Sequence, residues 1–317
     1  REKMFHTYGL EGIQDYNDRT QCTHQGVGGL PDVNTENPLF QKYYMEFVNK
    51  LVNMGVRGFR YDTAKHIGLS DDPQDDPSLP NNFWERVTTE VTNADKLFMY
   101  GECLQDGGER LADYINVIGA TTASNYGFRL RSALLNRNFT ASNVSNMGVS
   151  GTTNLVTWVE SHDTYCNAHE SAGMTDEQIR AAWVFLSARK GGTPLFFSRP
   201  AGSTRQNYWG NNKVGERGND EFKHPTIITI NHFRKAMKNQ PEQITATKDG
   251  AIVAVSRGSR GIAIINFSNE FLNYETEENK FKIINSIVNS LTNLTNSSDV
   301  ISLISAIFML IHQPFLL

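Results

Sequence analysis

The sequence predicts an α/β fold, a parallel sheet whose strands are joined by helical crossovers, followed by a smaller antiparallel piece. Three observations predict it. From about Pro38 to Ser198 helix-like and strand-like segments alternate, the order that sets parallel strands side by side with helices between them. Each strand of this region carries polar residues at its C-terminal end, namely Asp62, Glu102, Asn125, Asp163 and Arg199. After Pro241 the texture changes to "AIVAVSRGSRGIAIINFS", two β-rich runs around a turn containing Gly and Ser, which reads as a hairpin.

Element by element, "NPLFQKYYMEFVNKLVNMG" places Leu39, Tyr43, Phe47, Leu51 and Met54 at helical spacing, with Asn37 as cap and Gly55 as stop. The short β-rich "VRGFRYD" follows. A helix at roughly Asn82 to Asn93 precedes the strand "KLFMYGE", and one at about Gly107 to Val117 precedes "ATTASNYG". Phe128 to Asn138 then leads to "LVTWVESHD", and Asp176 to Lys190 leads to "TPLFFSRP". In a closed (β/α)8 barrel the C-terminal strand ends form the active-site face, because the βα loops converge there. Only five such strands are present, so either the sheet is open or the first barrel units are missing.

Composition narrows the function classes. A chain of 317 residues, 39% hydrophobic and 20% charged, buries a large core. A net charge of -4 offers no basic field for nucleic acid or an anionic membrane. Aromatic residues at 10% suit a core and also suit sugar stacking. Cys22, Cys103 and Cys166 match no zinc spacing and are expected to be free thiols. The apolar run from Val300 to Ile311 is too short to span a bilayer.

Four stretches carry the chemistry. In "GFRYDTAKH", Arg60 and Asp62 alternate with Phe59 and Tyr61, so both polar side chains leave one face of a strand. A permanent cation keeps the Asp62 carboxylate ionised, as a nucleophile requires, although the pair reads equally as a structural ion pair. Glu102 ends an apolar strand behind Gly101. Partial desolvation there raises a carboxyl pKa and suits a general acid; on its own a loop glutamate is the plainer reading. In "WVESHD", Glu160, His162 and Asp163 cannot share one face of a regular strand, so Asp163 points away from His162 or lies in the loop beyond. In "GLPDVN", Asp32 and Asn34 suit a hard, oxygen-ligated cation, or more simply a helix cap. Together, three strand ends supplying Asp, Glu and Asp meet the needs of retaining glycoside hydrolysis.

On "GFRYDTAKHI", "YGECLQD", "TASNYG", "WVESHDTY" and "TPLFFSRP", taken in that order, the chain resembles the α-amylases of glycoside hydrolase family 13, and most closely their saccharifying bacterial type. The resemblance runs from about Gly29 to Gly261. It implies a partial (β/α)8 barrel, about strands 4 to 8, followed by a truncated antiparallel β domain. Residues 1–37 would then be a remnant of the excursion after barrel strand 3, 38–240 the barrel, 241–278 part of the β domain, and 279–317 a tail of unclear structure. It implies Asp62 as nucleophile, Glu102 as general acid/base and Asp163 as transition-state stabiliser. Arg60, Lys65, His66 and His162 would bind substrate, with Arg60 also orienting the nucleophile. A structural Ca2+ is expected on the Asp32 side chain and the His66 backbone carbonyl.

The resemblance has gaps. The family's early motif ending Asn-His is absent, because the chain is expected to begin after that point. Ser161 stands where chloride-dependent members carry Asn, so chloride is not expected. The implied reaction is endo-hydrolysis of α-1,4 bonds in starch and related α-glucans. A transglycosylase or another hydrolase of the family is one alternative, and a non-catalytic glucan-binding remnant is another. The expected partner is the α-glucan, without nucleic acid or membrane, and the chain is expected to be a monomer. Secretion is expected from the substrate, and the sequons at Asn138 and Asn266 are compatible with it.

Overall fold

The computed structural model describes residues 4–105, 109–136, 138–147, 154–250 and 252–266, and the backbone of 282–287 and 307–311. In chain order the elements are α1 (Arg19–His24), α2 (Pro38–Asn53), β1 (Gly58–Tyr61), α3 (Phe83–Thr89), β2 (Phe98–Gly101), α4 (Leu111–Ile118), β3 (Thr121–Thr122), α5 (Ser124–Leu135) and α6 (Ala141–Ser145). They continue with β4 (Leu155–Thr157), α7 (Asp176–Ala188), β5 (Thr193–Pro194), α8 (Pro225–Ala236), β6 (Glu242–Ala246), β7 (Ile252–Arg257), β8 (Gly261–Asn266), β9 (Lys282–Ile287) and β10 (Ile307–Ile311).

The first sheet has the order β1-β2-β3-β4-β5, and its first four strands pair in parallel. Spatial order equals chain order. A doubly wound open sheet reverses direction at a switch point; this one does not, which decides for part of a (β/α)8 barrel. The second sheet, β6-β7-β8-β10-β9, is antiparallel and contains the predicted hairpin as β7 and β8. Most of the segment after residue 279 lies outside the described residues, as does the start of the run at Val300. No helix among the described residues is long and apolar enough to cross a membrane.

By contacts the chain forms two compact units, residues 1–124 with 154–156, and residues 125–153 with 157–317. In the first, α2 follows the expected plan: Asn37 accepts from the Leu39 and Phe40 amides, Pro38 opens the helix, and Gly55 ends it at φ +109. Its buried face differs from the apolar stripe. Val48 and Val52 are buried, whereas Tyr43, Phe47 and Met54 are exposed. Periodicity establishes a helix, but the neighbours decide which face is covered, and here Phe40 and Tyr44 meet Phe83 of α3. In the second unit α7 starts with a capping box between Thr175 and Gln178. The buried Arg257 of β7 donates to the Ala188 carbonyl at the end of α7, satisfying an acceptor the helix leaves open.

The strands are shorter than the sequence reading made them. β3 has two residues and α5 already begins at Ser124, so Asn125 lies in a helical first turn and not at a strand end. β4 stops at Thr157 and β5 at Pro194, which leaves Asp163 and Arg199 in connecting segments. The expected helix start at Gly107 lies outside the described residues; the helix observed is α4. Cys22, Cys103 and Cys166 are free and buried.

Candidate active site

Adjacent parallel strands bring the first two carboxylates together. The Glu102 amide donates to the Tyr61 carbonyl, and the Ala64 amide donates to the Glu102 carbonyl, both at 2.8 Å. That pairing requires Gly101: a Cβ there would come within 2.7 Å of Ala64 Cβ and 2.8 Å of Ile118 Cδ1. The glycine of "YGE" is therefore a close-approach residue that delivers Glu102 to the end of β1.

Arg60 then bridges the pair. Its Nη1 donates to Asp62 Oδ1 at 2.6 Å, and its Nη2 lies 2.8 Å from Glu102 Oε1. One guanidinium thus holds both carboxyls. Their environments differ sharply: the Asp62 side chain is 69% exposed and that of Glu102 is 10% exposed. Burial pushes the Glu102 pKa up, with the Asp62 charge adding to the effect, while the Thr63 amide and Arg60 pull the other way. The site thus pairs an accessible carboxylate fixed by a guanidinium with a desolvated carboxyl inclined to hold its proton.

The residues after Asp62 form a tight turn, Ala64–His66, fastened from several sides. The Lys65 carbonyl accepts from Arg19 Nη1 at 3.2 Å and from the Tyr114 hydroxyl at 2.8 Å, and Arg19 is itself held by Asp72. Lys65 is buried, and its Nζ donates to the Leu104 carbonyl at 3.1 Å. The His66 ring is buried too, with Nδ1 donating to the Cys22 carbonyl at 2.9 Å. Burial pushes its pKa down to about 4, so the ring is neutral at ordinary pH.

Asp32 belongs to a second, sealed cluster. His6 Nδ1 lies 2.5 Å from Asp32 Oδ2, and His6 Nε2 lies 2.6 Å from Glu36 Oε2. Burial opposes a charge on His6, but the bonds to the two carboxylates prevail and lift its pKa to about 9. Two carboxylates therefore share an imidazolium, and the helix cap once open to Asp32 is Asn37 instead. The corner suits a cation by charge. Among the described residues, no group of three or more His, Cys, Asp and Glu is arranged to hold a metal. Sequence reasoning missed His6 and Glu36, since 26 and 30 residues separate the bonded partners and no local spacing signals them.

In the second unit, "WVESHD" leaves the strand before its charged residues. Asp163 opens a π-helical turn, Asp163–Asn167, with His162 preceding it. Such turns break the regular helical ladder and recur at functional sites. Asn167 Nδ2 donates to Asp163 Oδ1 at 2.6 Å, and His162 Nε2 is 3.4 Å from Asp163 Oδ2, both side chains about half exposed. Glu160 goes the other way into the interior, where Arg199 donates to it at 2.9 and 3.1 Å. Arg199 also donates to the Ser171 and Met174 carbonyls, which makes it a clamp on the segment after Asp163.

Comparison with known proteins identifies the family. The alpha-amylase catalytic domain matches residues 7–185, more than half of the chain. The chain is 40% identical over 271 residues to an alpha-amylase of Butyrivibrio fibrisolvens, covering 77% of this chain and 28% of that protein. It is 33% identical over 282 residues to an alpha-amylase of Clostridium acetobutylicum, covering 88% of this chain and 35% of that one. It therefore spans only 28% to 35% of the length of these two relatives. Two solved structures share the fold. An Anoxybacillus alpha-amylase matches 99% of this chain and 72% of its own at TM-score 0.68 and 16% identity. A Geobacillus thermoleovorans alpha-amylase, solved with acarbose, matches 99% and 73% at TM-score 0.66 and 17% identity. With the domain matched from residue 7 to residue 185 and the Asp62 and Glu102 carboxyls held by one guanidinium, the chain belongs to the α-amylase family, glycoside hydrolase family 13.

Proposed function

We propose that this protein contributes the catalytic carboxylates of a retaining α-amylase, which cleaves internal α-1,4 bonds of starch and related glucans. The observation that carries the reading is the Arg60 bridge. It ties an exposed Asp62 and a buried Glu102 to one guanidinium, a shared anchor that suits the close spacing of a retaining pair. Inverting enzymes need room for that water, with carboxyls roughly 6.5–9.5 Å apart, whereas retaining enzymes bring them to about 5–5.5 Å.

In the first step an Asp62 oxygen attacks the anomeric carbon. Glu102 gives its proton to the glycosidic oxygen as that bond breaks, leaving a glycosyl ester on Asp62. In the second step the Glu102 carboxylate takes a proton from water, whose oxygen displaces Asp62 from the same carbon. The ester bond breaks and the starting configuration returns. Between the steps Glu102 is charged, and the Thr63 amide and Arg60 offset that charge. Asp163 is the proposed third carboxylate, stabilising the cationic sugar ring, with His162 and Lys65 binding hydroxyls and His66 beside them.

The calcium that the family resemblance implies would be held by the Asp32 carboxylate and the His66 carbonyl. It would supply no bond-making chemistry, only stiffening of the turn after Asp62. To reach Asp32 it would take over from the His6 imidazolium as the counter-charge. The enzyme is proposed to act as a secreted monomer on its glucan. The test is Asp62→Asn with maltoheptaose: turnover should vanish while binding persists. Residual turnover within about tenfold of the parent would overturn the assignment, because losing a covalent step costs far more.

A further inference from the structure

The loop between Arg199 and Asp220, which follows β5, is braced by its own side chains. Thr204 Oγ1 accepts from the Gln206 and Asn207 amides at 3.2 and 3.1 Å, and Asn207 Nδ2 donates to the Gly210 carbonyl at 2.7 Å. Asn211 Nδ2 donates to Glu216 at 2.9 Å. Two of its apolar residues are exposed, Trp209 at 47% and Val214 fully.

A lone exposed apolar residue is ordinary. This one is different because its backbone is locked. Gly210, the next residue, has φ +58, and a Cβ there would lie 2.1 Å from the Ala201 carbonyl oxygen. The same carbonyl accepts from the Asn211 amide at 2.9 Å, closing the loop.

The loop is also fastened to the turn that Asp163 opens. Cys166 Sγ donates to the Tyr208 carbonyl at 3.7 Å, and the Tyr208 ring stacks on His169 with centroids 3.8 Å apart. Tyr165 meets Tyr208 edge-on at 5.8 Å, and its hydroxyl donates to Ser203 Oγ at 3.0 Å. Trp209 is therefore the outward neighbour of a residue pinned against the segment carrying His162 and Asp163.

We infer that Trp209 is a stacking platform for a glucose unit of an α-glucan chain, away from the bond being cleaved. The inference rests on the proposed reaction and adds a binding residue to it. An indole presents a large, flat apolar face with one polar edge. It complements the apolar C–H face of a pyranose, and continuity with Asp163 makes the glucan its occupant. Binding energy gained on such remote units favours long substrates over short ones.

The four tryptophans make the test direct. Trp84, Trp158 and Trp183 are buried, so a soluble collisional quencher reads Trp209. Maltoheptaose is titrated into the Asp62→Asn protein while iodide quenching and heat of binding are measured together. Saturating sugar should shield the fluorescence, and adding Trp209→Ala should weaken binding about tenfold, a loss of the size of one aromatic contact. Trp209→Phe, which keeps a ring, should restore most of the affinity and guards against a folding artefact. Should maltoheptaose bind with Trp209 still fully quenchable and Trp209→Ala without effect, the platform fails and the reaction assignment stands. No binding to the Asp62→Asn protein at all would sink both. If Trp209→Ala instead turned a dimer into a monomer with glucan binding intact, the loop would be a contact between copies and not a sugar platform.

Discussion

Two corners of the first unit share one arrangement, a single cation between two carboxylates, in opposite surroundings. At Arg60 the cation is permanent and one partner, Asp62, stays largely in solvent. At His6 everything is sealed: the His6 side chain is 1% exposed, that of Asp32 16% and that of Glu36 6%. The bond lengths are nearly the same, 2.6 and 2.8 Å at one corner and 2.5 and 2.6 Å at the other. Pairing by itself therefore does not mark a reactive site. What sets the Arg60 corner apart is its asymmetry, with one carboxylate accessible and fixed while the other is dry and inclined to stay protonated.

Breaking the dry half of the Arg60 corner has the largest expected effect of the remaining changes. Glu102→Gln should lower turnover about 10²–10⁴-fold, the range that general acid–base catalysis supplies, with substrates carrying good leaving groups partly spared in the first step. Because the Glu102 pKa is raised, its acid form persists above the usual carboxylate range. The parent should lose activity as pH rises through that elevated value. A rate–pH profile of Glu102→Gln with the same basic limb as the parent would show that another group donates the proton.

Breaking the sealed corner should act on stability. His6→Gln leaves two buried carboxylates without their cation, which is expected to cost about 3 kcal/mol in denaturant unfolding. Turnover per folded molecule should change far less than in Asp62→Asn. An equal loss of turnover would mean that the two corners are not separate devices.

The smallest expected effect sharpens the comparison through calcium. Excess chelator should lower the melting temperature of the protein by a few degrees, and added calcium should restore it. In His6→Gln the rescue by calcium should be greater, since the carboxylates have lost their competing imidazolium. A melting curve unmoved by chelator and calcium in both proteins would remove the metal from this account.

Much of the fold was legible because its signals are local. The cap at Asn37 and the stop at Gly55 sit within one turn of the helix they bound, and the hairpin of β7 and β8 announces itself by its turn. The alternation of elements pointed to a parallel sheet, but it could not choose between an open sheet and part of a barrel. Spatial strand order made that choice. Strand ends were overrun for a physical reason. Apolar residues such as Trp158 and Val159 stay buried after the ladder stops, so hydrophobicity continues where pairing does not.

Residue order alone placed the candidate groups: Arg60 and Asp62 at alternate positions, Glu102 behind a glycine, His162 beside Asp163, and an early Asp32. These follow from residue type and short spacing, which the backbone translates directly into direction. Tertiary structure alone decided what each group is bonded to. It brought Arg60 onto Glu102, across 42 positions of sequence, by pairing β1 with β2. It sealed Asp32 behind His6, and it diverted Glu160 into the interior with Arg199. Ionisation and reactivity depend on burial and on charges a few ångströms away, and both are set by chain segments that meet only when the protein folds.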